Sequence, residues 1–342
     1  MALLLRFWLH LELNRMLRAS YTRPCAAEHD DLRLPHPRSL NRADLARVRS
    51  SPDEWTVAAK LDGVRALLVA CTFLRRRIVC SVGRRLDVEI LSDTPLPDGL
   101  DGLDGLDGLV VVVDTERTAS EYYAHDVFVL SRVSDIARRS HAVRMAALES
   151  AISELAPLTN VHAKPFVPMH RISEVSSVAS CDGLILANAT APVTFGSGEA
   201  LLKWKPVSHC SVDLLVERRR CGAYLARRAS ARVANGRKPL FELELSEVPG
   251  DLPCVWEFRH DGERWRPYKP RRDKNTANSE FVVTQTALNI AERIERTELE
   301  TIEQTNLKCQ SLQQESCASP NEARDGRKPE SVSKMSNDTT SG

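Results

Sequence analysis

The chain has 342 residues, 42% of them apolar, and its 47 Lys plus Arg nearly cancel its 46 Asp plus Glu. That length holds two domains, or one large core with an appendage. The charge balance excludes a protein that coats long nucleic acid, which is strongly basic, so any RNA contact must be local.

The nine cysteines are odd in number and contain no Cys-x-x-Cys pair. This argues against a disulfide framework or a zinc site and fits a reducing compartment. No apolar run approaches the ~18 residues a membrane span needs, so no membrane partner is expected. Arginine clusters such as Arg75-Arg76-Arg77 and Arg218-Arg219-Arg220 read as solvated faces.

In chain order, residues 1–34 read as an N-terminal extension. Ala2 to Leu13 is apolar-rich, with Arg6, Arg15 and Arg18 in or just beyond it. It reads as a flexible extension or a helix packed on the first domain, with an amphipathic organelle presequence as the alternative. A short helix is expected near Arg42 to Val48. Trp55-Thr56-Val57-Ala58-Ala59 and Ala66-Leu67-Leu68-Val69-Ala70 flank Lys60-Leu61-Asp62-Gly63-Val64-Arg65, which reads as strand, loop, strand. That places Lys60 at a strand end facing a cleft.

The triple Leu-Asp-Gly repeat from Leu100 to Gly108 predicts a loop between strands. It lacks the glutamate that closes an EF-hand loop. Leu109 to Val113 is a β-branched run typical of a buried strand, and Val143 to Leu155 has helical spacing. Short apolar segments at Val212–Val216, Ala223–Ala226, Leu240–Leu245 and Val255–Phe258 suggest a small barrel of the OB kind over residues 208–280. Residues 281–305 read as one amphipathic helix packing on the core, with Val283, Ala287, Ile290 and Ile294 on one face. Residues 306–342 have the composition of a disordered tail.

The chemistry centres on Lys60. A lysine attacks only as the neutral amine, and its free pKa is about 10.4. Nearby cations make the charged form costly and push that pKa down. Lys203 and Lys205 lie two apart on a predicted strand, so both point to one face while Trp204 points into the opposite layer. Read alone, that segment is better taken as a strand with two solvated lysines.

Four stretches stand in order: the Lys60 motif, Val112-Val113-Asp114-Thr115-Glu116, Asp182-Gly183-Leu184-Ile185, and Leu202-Lys203-Trp204-Lys205-Pro206. Together they resemble the GTP::mRNA guanylyltransferases (mRNA capping enzymes), in the covalent nucleotidyltransferase superfamily that also holds the polynucleotide ligases. The resemblance spans roughly Pro35 to Ser279. It implies an α+β enzyme, with antiparallel sheets of a nucleotidyltransferase domain (35–207) lining a GTP cleft and an OB-fold domain as lid.

By that resemblance Lys60 attacks the α-phosphorus of GTP, and GMP then passes to 5′-diphosphate RNA. Asp62 and Arg65 would lie at the nucleotide, Arg65 and Arg84 beside the sugar. Glu116 would approach the ribose and metal, and Tyr122 or Tyr123 would stack on guanine. His125 stands where another aromatic is common and reads as a packing substitute. Asp182 would bind Mg²⁺ or Mn²⁺, joined by Glu116 and Asp213, and Lys203 and Lys205 would contact the α-phosphate. The segment Trp265-Arg266-Pro267-Tyr268-Lys269-Pro270-Arg271-Arg272-Asp273-Lys274 resembles the part of the OB lid that orients the outer phosphates, with Arg271, Asp273 and Lys274 matching.

Two departures stand out. Thr115 occupies a glycine position, which puts the local turn geometry in question. Lys269 replaces an arginine, keeping charge without the bidentate fork.

An ATP-dependent DNA or RNA ligase is the competing enzyme, although ligases usually carry Glu-Gly where Asp182-Gly183 stands. An inactive RNA-binding scaffold subunit is the non-enzymatic alternative. No Cys-x5-Arg phosphatase motif, P-loop or glycine-rich methyltransferase fingerprint is visible. A separate RNA 5′-triphosphatase, a cap methyltransferase and the transcription machinery are therefore the expected partners, and the nucleus is the location the resemblance implies.

Overall fold

A computed structural model describes residues 2–19, 34–83, 86–96, 107–175, 181–218, 224–227, 242–245, 254–272 and 274–302. The larger part runs α1 (Ala2–Ala19), β1 (Pro35–Ser39), α2 (Arg42–Ser50), β2 (Trp55–Leu61), β3 (Val64–Phe73), β4 (Arg76–Gly83), β5 (Val88–Pro95) and β6 (Gly108–Arg117). It continues through β7 (Tyr122–Leu130), α3 (His141–Ala146), α4 (Leu148–Ser153), β8 (Val161–Ala163), β9 (Val167–Pro168), β10 (Cys181–Asn188) and β11 (Gly196–Trp204). These strands form a five-stranded sheet, β1-β11-β10-β2-β9, and a six-stranded sheet, β5-β4-β3-β6-β7-β8. Pairing is antiparallel except for β1 with β11 and β7 with β8.

The apolar run Leu67–Cys71 in β3 is wholly buried, which requires cover on both faces of the sheet. Side chains alternate along a strand, and the two faces find different partners. Leu67, Val69 and Cys71 pack with Leu5, Leu9 and Leu13 of α1, while Leu68 and Ala70 pack with Leu148 and Ala151 of α4. The first residues thus form a helix docked on the first domain, one of the two structural readings of that segment. Leu5, Leu9 and Leu13 sit four residues apart on one helical stripe and are fully buried. Each such leucine contributes on the order of 2 kcal/mol by leaving water. Residues 143–155, expected as one helix, are two, α3 and α4, with Ala147 between them.

The C-terminal part contains β12 (Ser211–Arg218), β13 (Tyr224–Arg227), β14 (Glu242–Leu245), β15 (Cys254–His260) and β16 (Trp265–Pro270), followed by α5 (Glu280–Glu292). The strands form one antiparallel sheet in the order β14-β13-β12-β15-β16. No pair closing this five-stranded sheet into the expected barrel is found among the described residues. The tail at 306–342 and most of the Leu-Asp-Gly repeat lie outside the described residues.

The single helix expected over 281–305 is broken. α5 ends at Arg293, which adopts the left-handed conformation (φ 44°, ψ 55°), and a second helical segment covers 296–302. The two pieces serve different cores. Val283 packs with Val212, Leu214 and Phe258, whereas Ile294, Leu299 and Ile302 pack with Val57, Leu186 and Trp204. The break ties the C-terminal sheet to the five-stranded sheet.

Candidate active site

The motif glycines bring the reactive strands together. A Cβ on Gly63 would lie 2.5 Å from the carbonyl oxygen of Arg117, and one on Gly183 would lie 2.0 Å from that of Trp204. Only glycine allows those approaches. As a result Lys60 near the end of β2 sits opposite Gly183 of β10, and β10 pairs in turn with β11.

Asp182 then stands between two lysines. Its carboxylate lies 2.8 Å from Lys60 Nζ and also contacts Lys205 Nζ. Burial pushes the Asp182 carboxyl up, but the charges of Lys205 and Lys60 outweigh it and hold the group below its ordinary value. Lys203 shares this face of β11. Burial first, then the charges of Lys205 and Lys60, push its amine down to about 8. Three lysines and one carboxylate make a cluster with excess positive charge, suited to phosphate oxygens.

The cleft beside Lys60 is open to solvent and is lined by Arg65, Asp114, Glu116, His125, Asp126, His141, Lys164 and Phe166, with apolar walls from Pro35, Pro37, Ile185 and Leu201. Its mixture of apolar walls with a few polar groups suits a small-molecule ligand. Arg65 donates from Nε to Asp114 Oδ1 at 2.8 Å, and through its terminal nitrogens to Asp114 Oδ2 and the Pro35 carbonyl. Burial would raise the Asp114 carboxyl, but the charges of Arg65 and His125 override it and hold it well below the carboxylate range. Asp114 is thus a buried anion that fixes Arg65 and His125.

Thr115 fits where a glycine was expected. It lies inside β6, fully buried, and its hydroxyl donates 2.7 Å to the Ala66 carbonyl on β3. The segment is a regular strand and not a turn, so the doubt about its geometry is removed. Glu116 lies directly opposite Arg65 across the β3–β6 pair.

Some expected residues sit elsewhere. Asp62 is exposed and lines a separate surface groove with Val64, Arg117 and Asn160. Tyr122 packs in the hydrophobic core at 6% exposure, and Tyr123 stands against His162 with ring centroids 5.9 Å apart. Neither tyrosine lines the cleft. The reason is a β-bulge: Asp114 pairs with Asp126 while Thr115 pairs with Ala124, leaving His125 as the extra residue. A bulge re-aims side chains, and here it turns the neighbours His125 and Asp126 both toward the cleft. His125 is accordingly no packing substitute. Its Nε2 lies 3.2 Å from Asp114 Oδ2.

The aromatic wall is Phe166, which meets His141 edge-on at 4.9 Å. Phe166, His141 and Lys164 lie between the recognisable motifs and were missed. Burial pushes the Lys164 amine down to about 8, with Glu116 opposing that shift.

Asp213, expected as a metal ligand, is 5% exposed and committed to cations of its own sheet. Arg271 Nη1 lies 3.2 Å from both of its oxygens, and Lys274 Nζ bonds Oδ2. Its backbone also exchanges two 2.7 Å hydrogen bonds with Asn278. Asp213 therefore serves Arg271 and Lys274 and does not line the cleft. Arg84 and Asp273 lie outside the described residues. Hard carboxylate oxygens suit Mg²⁺ or Mn²⁺; Glu116 lines the cleft with Lys60 and Asp182 contacts Lys60, whereas Asp213 lies away from the cleft in its own sheet.

A family model described as "mRNA capping enzyme, catalytic domain" matches residues 10–207, more than half of the chain. Among solved structures, a mycobacterial DNA ligase D complexed with ATP and MES is similar at 16% identity and a TM-score of 0.40, covering 72% of this chain and 97% of that one. A Lig E DNA ligase is similar at 14% identity and a TM-score of 0.32, covering 70% and 98%. The ligase domain of LigD from M. tuberculosis follows at 13% identity and a TM-score of 0.30, covering 70% and 94%. These are distant likenesses, and membership rests on the family match together with the site it predicts. The chain belongs to the family of mRNA capping enzyme catalytic domains, which are nucleotidyltransferases.

Proposed function

We propose that this protein is an mRNA guanylyltransferase that forms a lysyl-N-GMP intermediate and passes GMP to the 5′-diphosphate end of RNA. The observation that carries this reading is the Lys60–Asp182–Lys205 cluster, with Lys60 on the wall of a cleft that Arg65 and Glu116 also line. The Lys60 amine attacks the α-phosphorus of GTP; the P–N bond forms as the bond to the bridging oxygen of pyrophosphate breaks. Lys203 and Lys205 neutralise charge that builds on the α-phosphate oxygens. An oxygen of the RNA diphosphate end then attacks the same phosphorus and releases Lys60.

Arg65, locked by Asp114, offers a fixed guanidinium to the ribose side of the nucleotide. A divalent Mg²⁺ or Mn²⁺, held by Asp182 and Glu116, would supply further neutralisation of phosphate charge. Arg271 and Lys274 would meet the outer phosphates when the C-terminal sheet closes over the cleft as a lid. We take the C-terminal unit to be an OB-fold domain, and we place the protein in the nucleus with a separate triphosphatase, cap methyltransferase and transcription machinery as partners.

The test is incubation with α-³²P GTP or ATP and a divalent metal, followed by a denaturing gel beside Lys60→Ala. Acid-labile label from GTP, absent in the variant, supports the reading. Label from ATP alone makes the protein a ligase, and no label with either nucleotide favours a scaffold.

A further inference from the structure

A row of side chains crosses the six-stranded sheet at the cleft. Arg65 pairs with Glu116, Glu116 with Tyr123, and Tyr123 with His162. Residues paired across neighbouring strands point to the same face. Arg65 and Glu116 line the cleft, so Tyr123 and His162 continue that face outward. The core gives the same answer from behind: Tyr122, Ala124, Val161 and Ala163, which flank the two residues in sequence, pack in the apolar cluster under α4, and side chains alternate along a strand. With strands ~4.8 Å apart, Tyr123 stands about 5 Å and His162 about 10 Å beyond Glu116. Tyr123 is half-buried and the His162 side chain is 51% exposed. Their rings are tilted 42° to one another, and His162 Nε2 lies 2.6 Å from Glu121 Oε2, which keeps the imidazole from turning away.

We infer that Tyr123 and His162 form a shelf on which the first base of the acceptor RNA stacks while its diphosphate end reaches the guanylylated Lys60. Single-stranded RNA ends are held by stacking their bases on aromatic side chains, a contact that accepts any base. The Glu121 carboxylate beside the rings repels a phosphate and leaves a base as the occupant. Neither ring is part of the cleft wall, so the shelf can fill and empty while GMP stays on the lysine. This inference rests on the guanylyltransferase reading and adds where its second substrate sits.

The experiment separates the two half-reactions in the wild type, Tyr123→Leu, Tyr123→Phe and His162→Ala. Lys60 is first labelled from α-³²P GTP; the isolated labelled protein is then chased with a short single-stranded 5′-diphosphate RNA or with pyrophosphate, which returns the GMP as GTP and carries no base. In Tyr123→Leu the RNA concentration for half-maximal transfer rises by about tenfold, while labelling from GTP, release by pyrophosphate and melting temperature stay as in wild type. His162→Ala moves the RNA response the same way, and Tyr123→Phe, which keeps the ring, restores it. An RNA response unchanged in both Tyr123→Leu and His162→Ala overturns the inference and leaves the guanylyltransferase reading intact. Labelling from GTP lost in Tyr123→Leu at an unchanged melting temperature assigns the ring to the base of GTP and also overturns it. A wild type that takes no label from GTP overturns both.

Discussion

The indole Nε1 of Trp204 donates a buried 2.7 Å hydrogen bond to the carbonyl oxygen of Ile294. Trp204 stands between Lys203 and Lys205, and Ile294 follows the left-handed residue that ends α5. The helix break frees a carbonyl where the indole needs an acceptor, so the segment after α5 holds the strand that carries Lys203 and Lys205 in place.

Trp204→Phe keeps the aromatic packing but leaves the Ile294 carbonyl unpaired. We expect a loss of about 1–3 kcal/mol in stability by urea denaturation, with reduced labelling of Lys60 as the Lys203–Lys205 strand relaxes. Full labelling despite the lost stability would show that the strand holds its position without this bond.

Lys203 carries a cost for the fold that serves the chemistry. Its folded pKa, pushed down by burial to about 8, lies below the ordinary lysine value of 10.5. The unfolded chain therefore binds more protons between those values, and stability rises with pH across that window. At pH 7 the burial cost is present in full. Lys203→Met should raise the melting temperature at pH 7, flatten the rise between pH 8 and 10.5, and slow labelling by about 10²-fold. A melting temperature that falls would contradict the burial argument.

His141 sets an acid-side window. Burial pushes its pKa from 6.5 down to about 4, with Asp126 opposing and Arg144 and His125 adding. The folded value is again the lower one, so stability contributed by the neutral ring is complete above pH 6.5 and is lost as pH falls toward 4. Melting curves of the wild type and His141→Gln from pH 4 to 7.5 should converge toward pH 4 as the wild type loses this contribution. Parallel curves would exclude His141 as the source.

Much of this site was legible because its chemistry is local. The hairpin around Lys60 follows from two apolar runs about a Gly-containing turn, and the shared face of Lys203 and Lys205 follows from strand period alone. What was hidden depends on partners distant in sequence. The stripe Leu5, Leu9, Leu13 shows a helix face but not that β3 is what it covers. The bulge at His125 arises from pairing between β6 and β7, and no residue type near it signals an extra residue, so the tyrosines drew the stacking role. The break at Arg293 is a non-glycine residue in a left-handed conformation, fixed by packing on two cores and absent from the helical spacing.

Thr115→Gly tests the family departure directly. Restoring the glycine removes the hydroxyl that donates to Ala66 and loosens the interior of a strand. The expected loss is about 2 kcal/mol, with labelling of Lys60 preserved. Improved labelling in Thr115→Gly would mean that the threonine impairs the site in spite of its satisfied bond.

Asp213 separates a structural carboxylate from a metal ligand. Its side chain is almost fully buried, whereas Arg271 and Lys274 keep partial access to water, so removing the charge leaves two cations that solvent can still reach. The destabilisation from Asp213→Asn should therefore be about 1–2 kcal/mol, less than breaking a fully buried pair. Asparagine retains the shape and the backbone bonds to Asn278. If Asp213 only anchors the two cations, the Mn²⁺ concentration for half-maximal labelling stays as in wild type while the response to GTP concentration weakens, because Arg271 and Lys274 lose their orientation. A metal ligand would behave the other way: the half-maximal Mn²⁺ concentration would rise by about tenfold or more. Titrating Mn²⁺ and GTP separately in wild type, Asp213→Asn and Asp182→Asn decides between them, with Asp182→Asn as the variant expected to shift the metal response.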